Sequence, residues 1–529
     1  MKNGLKKHIA LILALIIISG VCLLFAGRKE GLFIDEVYTY GLSNSFYAPY
    51  VTDIKGGDLI DKVMTRQELL DYLTVGADDR FAAGSVYYNQ TRDVHPPLYY
   101  WLFNFVSSLD AGEFTFRAGL ILNYIIYMAA LVILYRLCLL LFDSRLNAVC
   151  AVLLYGLSTL GLSTMLMLRM YVLMMLLTLT LAYLIALIMR APRPIYYPLV
   201  GLTILAGLMT QYYFVFGAFF MCLAYDIYAL IKRDYKSFAL FSASAILGAL
   251  CLLAAFPACI DQLFSGALVS GESAVDNLFN LAQYPVRLRA FIADAAHRMK
   301  GVIYVTVILV LAAGLSVRKI AESARARRIS LDSLVLIIPA GISFALIAVI
   351  SPVSEIRYIY SLVPLLILAD CLLLHLVEES DTAMNTMRSM KLFFGVAVAV
   401  LCLWEARCLP PDYLYDEYSD YDAMLEEYQA APCVYFDDNY FSPITYDMLQ
   451  LMIFDDFLVT NDADSATMRE YIGGAEELIL FVDISKEWAS GYDADEVISA
   501  VGASTGLTRP ERLYSNGFSA VYVLKGGDA

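Results

Sequence analysis

Long apolar runs dominate the chain before residue 409. Hydrophobic residues make up 60% of the 529 residues, charged residues make up 17%, and the mean hydropathy is +0.64. Because a helix needs roughly 20 apolar residues to cross a bilayer, these runs predict about eleven membrane spans. The predicted spans are 8–26, 115–141, 146–167, 170–189, 196–210, 212–231, 237–258, 301–317, 333–351, 358–376 and 391–407. The pattern therefore predicts a mainly α, polytopic membrane protein.

Basic residues fall in every second loop between these spans. Lys2, Lys6 and Lys7 precede the first span, and further Lys and Arg residues lie at 145, 190–193, 232–236 and 318–328. Positively charged loops stay in the cytoplasm, so we predict a cytoplasmic N-terminus and an extracytoplasmic C-terminus in the cell membrane. The first span resembles a signal peptide, but its apolar core is longer than usual, which favours a retained anchor.

Two segments of mixed polarity interrupt the spans on the predicted outer side. The first outer loop, 27–114, has helical apolar spacing at 66–75 and at 97–109. The second of these segments is short and aromatic, which is typical of a helix lying in the membrane interface. The loop at 259–300 is also expected to hold short interfacial helices.

The chain from residue 409 onward has a different texture. It carries 24 acidic and 5 basic residues, a net charge of −19, whereas the remainder carries 28 acidic and 32 basic residues, or +4. Apolar runs at 433–436, 457–460, 477–483 and 520–524 predict strands, with helices at 446–452 and 494–502. We therefore divide the chain into a membrane domain, 1–408, and an extracytoplasmic α/β domain, 409–529. This acidic region argues against nucleic-acid binding.

Cysteines suggest little chemistry in this chain. Most of the ten lie within predicted spans, where free thiols are the rule. Cys408 and Cys433 both lie outside the membrane, and the sequence leaves a disulfide between them open. No cysteine spacing resembles a zinc site.

The adjacent acids Asp35 and Glu36 are the most informative motif. They follow the first span within an apolar and aromatic segment. An apolar rim and a neighbouring acid both raise the pKa of a carboxyl group, which can make it a proton acceptor near neutral pH. The alternative is an acidic turn at the membrane interface.

Four further motifs project to the same predicted side. Asp93 and His95 precede two prolines that open the interfacial helix, where Tyr99 also lies. Arg169 and Tyr171 lie between the third and fourth spans. Each motif also has a plain interpretation, either an aromatic interface belt or an arginine that reaches the headgroups. The last two motifs are Gln211-Tyr212 and Arg357-Tyr358.

Arg169 has no carboxylate within four residues, so its guanidinium is available for a phosphate. Arg357 has Glu355 two residues before it and can pair with that carboxylate instead. Acids, arginines and aromatic residues on one side of an apolar body suit a substrate with a phosphate head and a long apolar tail.

In their order along the chain these motifs resemble glycosyltransferase family 39. That family includes protein O-mannosyltransferases and the aminoarabinose transferase of lipid A, and it belongs to the GT-C class of membrane glycosyltransferases. The resemblance covers about residues 8–376 and excludes the acidic C-terminal region. Two departures are Gln211, where many bacterial relatives have histidine, and the lack of an acid before Arg169.

The resemblance implies transfer of a sugar from a polyprenyl-phosphate donor, with inversion, to a protein, lipid or cell-wall acceptor outside the membrane. Asp35 would be the general base, and Glu36 would orient the acceptor or tune Asp35. Arg169 and Arg357 would stabilise the departing phosphate. The remaining candidates would bind substrate: Asp93, His95, Tyr99, Tyr171, Gln211, Tyr212 and Tyr358.

Other interpretations stay open at this stage. A transporter or lipid flippase would also be polytopic, although such proteins place charges near the membrane midplane. A membrane scaffold would leave the motifs of the first outer loop unexplained. Clustered carboxylates at Asp35, Glu36 and Asp93 also suit Mg²⁺ or Mn²⁺, and the sequence does not decide whether a metal is needed.

Overall fold

The structure is a computed structural model that describes residues 2–264, 277–315, 324–351, 355–380, 388–437, 443–484 and 493–526. It is mainly helical with one mixed sheet, which confirms the predicted fold class. Three parts of the predictions above lie outside the described residues: positions 265–276 of the loop 259–300, the end of the span 301–317 at 316–317, and the basic positions 318–323.

The helices before residue 409 account for every predicted span. They are α1 (Lys2–Ala26), α2 (Ile34–Asn44), α3 (Arg66–Leu73), α4 (Ala83–Thr91), α5 (Leu98–Ser107), α6 (Arg117–Phe142), α7 (Arg145–Gly156), α8 (Thr159–Leu166), α9 (Tyr171–Arg190), α10 (Tyr196–Leu208), α11 (Phe214–Ile231), α12 (Tyr235–Ala255), α13 (Cys259–Phe264), α14 (Tyr284–Arg298), α15 (Lys300–Leu315), α16 (Ala324–Ile350), α17 (Val363–Ser380) and α18 (Arg388–Cys408). The predicted helices at 66–75 and 97–109 correspond to α3 and α5.

Fewer of these helices meet a strict test for crossing a membrane. Among the described residues, six single helices are long and apolar enough, and two bent pairs raise the number to eight. The chain is therefore a multi-pass membrane protein. The predicted span 196–210 is only a 13-residue helix. The helices of the last two predicted spans, α17 and α18, each carry at least three charged residues.

The predicted span at 146–167 is bent because Ser158 interrupts it. The Ser158 hydroxyl accepts a hydrogen bond from Gly161 N at 3.0 Å and donates to Tyr155 O at 2.9 Å. A Cβ on Gly161 would lie 2.0 Å from Tyr155 O, so the turn requires glycine there. The two halves, α7 and α8, meet at 62°, and Arg169 follows the second half.

Small residues allow two apolar helices to pack closely. A Cβ on Gly248 in α12 would lie 2.2 Å from Gly201 O in α10, and one on Gly201 would lie 2.8 Å from Ser244 O. Such close approach at glycines is typical of membrane helices, whose association depends on van der Waals packing.

The chain separates into two compact units. The first comprises 1–27, 93–99 and 119–412, and the second comprises 28–92, 100–118 and 413–529. Most of the first outer loop thus belongs to the same unit as the C-terminal region, a grouping that the sequence did not indicate.

A six-stranded sheet forms the centre of the second unit in the described part of the chain. Its strands are β1 (Lys62–Thr65), β2 (Cys433–Phe436), β3 (Asp456–Thr460), β4 (Glu477–Asp483), β5 (Arg509–Ser515) and β6 (Ser519–Lys525), and their order in the sheet is β1-β3-β2-β4-β6-β5. The predicted strands at 433–436, 457–460, 477–483 and 520–524 are all present, and β2, β3 and β4 run parallel. Strand β1 comes from the first outer loop and pairs antiparallel with β3.

Among the residues described there, four α-helices accompany these strands, and the predicted helices at 446–452 and 494–502 correspond to the second and the last of them. They are α19 (Tyr418–Glu426), α20 (Met448–Leu451), α21 (Ala466–Ile472) and α22 (Ala494–Thr505). Cys408 and Cys433 are both free.

Candidate functional site

Asp35 and Glu36 lie in the first turn of α2 but have different surroundings. Asp35 is half-buried, whereas Glu36 is fully buried. The Glu36 carboxylate accepts a hydrogen bond from Phe33 N at 2.7 Å, and Glu36 N donates to Phe33 O at 2.7 Å. A carboxylate that bonds an unpaired N–H at a helix start stabilises that start. Glu36 therefore caps α2, and Asp35 is the more accessible acid of the two.

Lys29 neutralises the buried Glu36. Its ammonium lies 3.1 Å from the Glu36 carboxylate, and neither side chain is exposed. Lys29 also donates to Tyr413 O at 2.7 Å. Burial lowers the pKa of Lys29, and the charge of Glu36 opposes that effect. A buried pair of this kind needs such additional hydrogen bonds because both charges have lost their water.

The rest of α2 is fastened to the outer-loop helices. A Cβ on Gly41 would lie 2.0 Å from the Tyr72 ring, so α2 and α3 touch at that glycine. Tyr40 packs edge-on against Phe103 and donates a hydrogen bond to Thr115 O at 3.0 Å. The helix that carries Asp35 is thus held along its length, in addition to the cap at its start.

Asp93 and His95 pair within the other unit. His95 Nδ1 lies 2.9 Å from Asp93 Oδ2, and both side chains are mostly buried. Burial favours the neutral Asp93 carboxyl, but the neighbouring His95 and the Arg169 guanidinium together lower its pKa below the usual value. Asp93 is therefore ionised, and its charge interacts with that of Arg169, which has no carboxylate nearby in sequence.

Gln262 connects this pair to the Gln211-Tyr212 turn. Its side-chain amide donates to Asp93 O at 2.7 Å, and its oxygen accepts from the Tyr212 hydroxyl at 2.5 Å. Gln211 accepts a hydrogen bond from Tyr212 N at 2.7 Å. Sequence reasoning missed Gln262, which lies between Asp261 and Leu263 in α13.

Asn123 is a second residue that the sequence analysis missed. Tyr99 is fully buried, and its hydroxyl donates to Asn123 Oδ1 at 2.8 Å. The Asn123 amide in turn donates to Met165 O at 3.1 Å and to Met167 O at 2.6 Å. These bonds satisfy the carbonyl oxygens at the end of α8, just before Arg169. A buried asparagine inside an apolar span is costly and signals such a role.

Arg357 lies beside Tyr358, which belongs to an aromatic cluster in the same unit. Tyr358 stacks on Tyr213 at 4.9 Å and meets Tyr171 edge-on at 6.4 Å. The Arg357 guanidinium lies 5.5 Å from the centre of the Tyr358 ring and 3.7 Å from Glu355. The pairing with Glu355 that the sequence left open is therefore present, and Arg357 is buried.

Metal ligands are absent from the described part of the chain. No group of three or more His, Cys, Asp or Glu side chains is arranged there to hold a metal ion. The Mg²⁺ or Mn²⁺ that the carboxylates suggested has no ligand set among these residues. The roles assigned to the individual site residues stay predictions.

A family comparison indicates the class of protein. The model of the family described as dolichyl-phosphate-mannose-protein mannosyltransferase matches residues 94–260. That range contains His95, Arg169 and the Gln211-Tyr212 turn, and it confirms the resemblance to family 39 that the motifs indicated. The similarity is thus to membrane glycosyltransferases.

Two solved structures of one protein align with nearly the whole chain. The crystal structure of ArnT from Cupriavidus metallidurans bound to undecaprenyl phosphate aligns at 11% identity over 97% of each chain, with a TM-score of 0.47. The apo state of the same protein aligns at 10% identity over 97% of each chain, with a TM-score of 0.46. No curated protein matches the chain.

Proposed function

We propose that this protein is a membrane glycosyltransferase of the GT-C class that takes its sugar from a polyprenyl-phosphate donor. The acceptor is a protein, lipid or cell-wall glycan on the outer side of the cytoplasmic membrane, and the anomeric carbon is inverted. The match to the mannosyltransferase family over 94–260 supports the class and the lipid-linked donor. The many apolar helices supply a surface for a polyprenyl chain.

The observation that carries the proposal is the network around Asp93. Four segments that are distant in sequence contribute Asp93 with His95, Arg169, Tyr212 and Gln262, and hydrogen bonds or charge interactions link them. A buried arginine next to polar and aromatic groups suits a phosphate that gains charge as it leaves. Arg169 and Arg357 take this role in our proposal, and Asp93 and His95 hold hydroxyl groups of the substrates.

Asp35 is the proposed general base. It accepts the proton of the acceptor hydroxyl while that oxygen attacks C1 of the sugar, and the lipid phosphate leaves with the bonding electrons. Asp35 is half-buried, whereas the neighbouring Glu36 carboxylate is buried and paired with Lys29. This difference supports assigning the general base to Asp35 and not to Glu36. Glu36 then acts by positioning the helix turn.

The test is sugar transfer by membranes that contain the wild-type chain or Asp35→Asn. Radiolabelled polyprenyl-phosphate mannose and polyprenyl-phosphate aminoarabinose are the first donors, and label in the native acceptors is counted. Loss of a general base is expected to slow transfer roughly 10²–10⁴-fold. Asp71→Asn, which changes an exposed acid on α3, is the matched control and is expected to leave the rate unchanged.

Near-normal transfer by a folded Asp35→Asn chain would refute the role of Asp35. If the wild-type chain transferred no sugar from any lipid-linked donor but accumulated substrate in vesicles, the transporter would be the better assignment.

A further inference from the structure

We propose that the segment Tyr413–Tyr418, which we call the clamp, positions Asp35 and that it acts through Lys29. This inference rests on the proposed function, because it gives the C-terminal region a role in setting the general base. The segment 28–36, the clamp and α2 all lie in the second unit.

Lys29 is the link between the clamp and the helix start. Its ammonium donates to Tyr413 O at 2.7 Å and contacts the Glu36 carboxylate at 3.1 Å, with the Tyr415 ring centre 5.7 Å away. Because Glu36 caps the first turn and Asp35 is its neighbour in that turn, the ammonium fixes the turn that carries the base. A shift of the clamp would therefore shift Asp35.

The clamp also contacts residues 28–31, between the first span and α2. Glu30 N donates to Leu414 O at 2.8 Å, and Arg28 pairs with Asp416. A Cβ on Gly31 would lie 2.6 Å from a Tyr418 ring carbon and 2.7 Å from Tyr415 Cβ. Only glycine allows this close approach, so the fit is specific at that position.

Two residues of the clamp have a disfavoured backbone conformation. Tyr413 and Tyr415 have φ values of 70° and 57°, in the left-handed region that residues other than glycine, asparagine and aspartate seldom occupy. Such conformations persist where surrounding contacts determine them, and they are enriched at functional sites. The left-handed turn at Tyr413 accompanies the carbonyl contact that Lys29 uses.

The contacts of the clamp differ from those of the α2 body. Tyr40, Gly41 and Ser43 contact outer-loop segments, whereas the first turn is tied to the C-terminal region through Lys29. The predicted consequence is local: loosening the clamp frees the first turn of α2 and leaves its second half in place.

The experiment uses the full-length protein in nanodiscs and compares Gly31→Ala with Gly20→Ala. A Cβ at Gly20 meets no atom within 4 Å, so Gly20→Ala is the matched control. In Gly31→Ala we expect amide exchange at 34–37 to rise on the order of tenfold, with exchange at 40–44 unchanged. A displacement of about 1 Å in a reacting group can cost roughly 10²-fold, so kcat is expected to fall toward that extent while KM for the lipid-linked donor stays constant.

A second variant tests the clamp independently, in case the Gly31→Ala chain does not fold. Lys29→Met/Glu36→Gln removes both charges of the link and keeps the cap, because the glutamine amide oxygen still accepts from Phe33 N. We expect the same rise in exchange at 34–37 and the same fall in kcat.

Unchanged exchange at 34–37 in both variants would overturn the clamp, and so would faster exchange with an unaltered kcat. An active Asp35→Asn chain would refute the proposed function instead, because that result does not depend on the exchange measurements.

Discussion

The start of α2 and the Asp93 network both hold buried charge, but they are built from different distances along the chain. Lys29 and Glu36 are seven residues apart, and Glu36 also bonds the backbone three residues before it. Asp93, Arg169, Tyr212 and Gln262 come from segments up to 169 residues apart. The start of α2 is therefore built mainly from residues close in sequence, with one additional contact to Tyr413 O in the C-terminal region. The Asp93 network depends on the tertiary fold, which brings distant segments together.

This difference separates positioning from binding. The Glu36 carboxylate is satisfied by an ammonium and a backbone N–H, so it has a structural task within α2. The Asp93 carboxylate is held ionised by His95 and Arg169, whose guanidinium suits an anion of the substrate. Glu36 and Asp93 are both predicted site residues, yet the structure gives them different roles: Glu36 holds the start of α2, and Asp93 belongs to a network suited to binding. Mutations can distinguish these two roles.

Breaking the Lys29–Glu36 pair from one side is expected to have the largest effect. Lys29→Met leaves Glu36 buried and uncompensated, which should lower the free energy of unfolding by about 3–5 kcal/mol. The Lys29→Met/Glu36→Gln double variant should regain most of that stability, since it buries no charge. Thermal unfolding in detergent measures both. Equal loss in the single and double variants would show that the charge is not the cause.

Arg169→Ala tests the other region by activity. We expect sugar transfer to fall roughly 10²–10³-fold, because a group that stabilises developing charge is lost. Removal of the guanidinium also raises the pKa of Asp93, so the acidic limb of the pH–rate profile should move to higher pH. Arg169→Lys keeps the charge and should retain the profile of the wild type. An unshifted acidic limb in Arg169→Ala would exclude the coupling to Asp93.

Sequence reasoning succeeded where the signal was local. Apolar runs predicted the helices of the membrane spans, and residue period and composition predicted four strands. The helix α2, whose first turn carries Asp35 and Glu36, was not predicted. Sequence reasoning could not predict the contacts that distant segments supply. Strand β1 joins the C-terminal sheet from the first outer loop, and Tyr413 O completes the Lys29 site. Neither pairing leaves a trace in local periodicity, because each depends on the tertiary fold.

A third buried acid, Asp447, extends this comparison, because the groups that donate hydrogen bonds to its carboxylate are neutral. Its carboxylate accepts from Ser519, Asn516 and Tyr435, and burial raises its pKa to about 6. An acid with a raised pKa in the folded state gives full stability below its unfolded pKa near 4, and that stability falls as pH rises to 6. At 1.36 kcal/mol per pKa unit, the loss is up to about 3 kcal/mol.

Asp447→Asn is expected to remove this pH dependence, since the uncharged amide oxygen can accept from Asn516 and Ser519 while the amide NH₂ donates to the Tyr435 hydroxyl. Hydrogen-exchange protection of β4 and β6 amides in the full-length protein, followed between pH 4 and 7, measures the effect. Wild-type protection should decline over that range after correction for intrinsic exchange, while the variant should remain level. A parallel decline in both proteins would assign the dependence to another group.

Gln262 gives the smallest and most specific test of the Asp93 network. Gln262→Leu leaves the Tyr212 hydroxyl and Asp93 O without this partner, which should cost about 1–3 kcal/mol. Tyr212→Phe removes one of the same bonds, so the double variant should lose less than the sum of the two single losses. Stability and KM for the lipid-linked donor are measured in all three. Strict additivity would mean that Gln262 does not join the Tyr212 turn to Asp93, and the region would then be a set of separate contacts rather than one network.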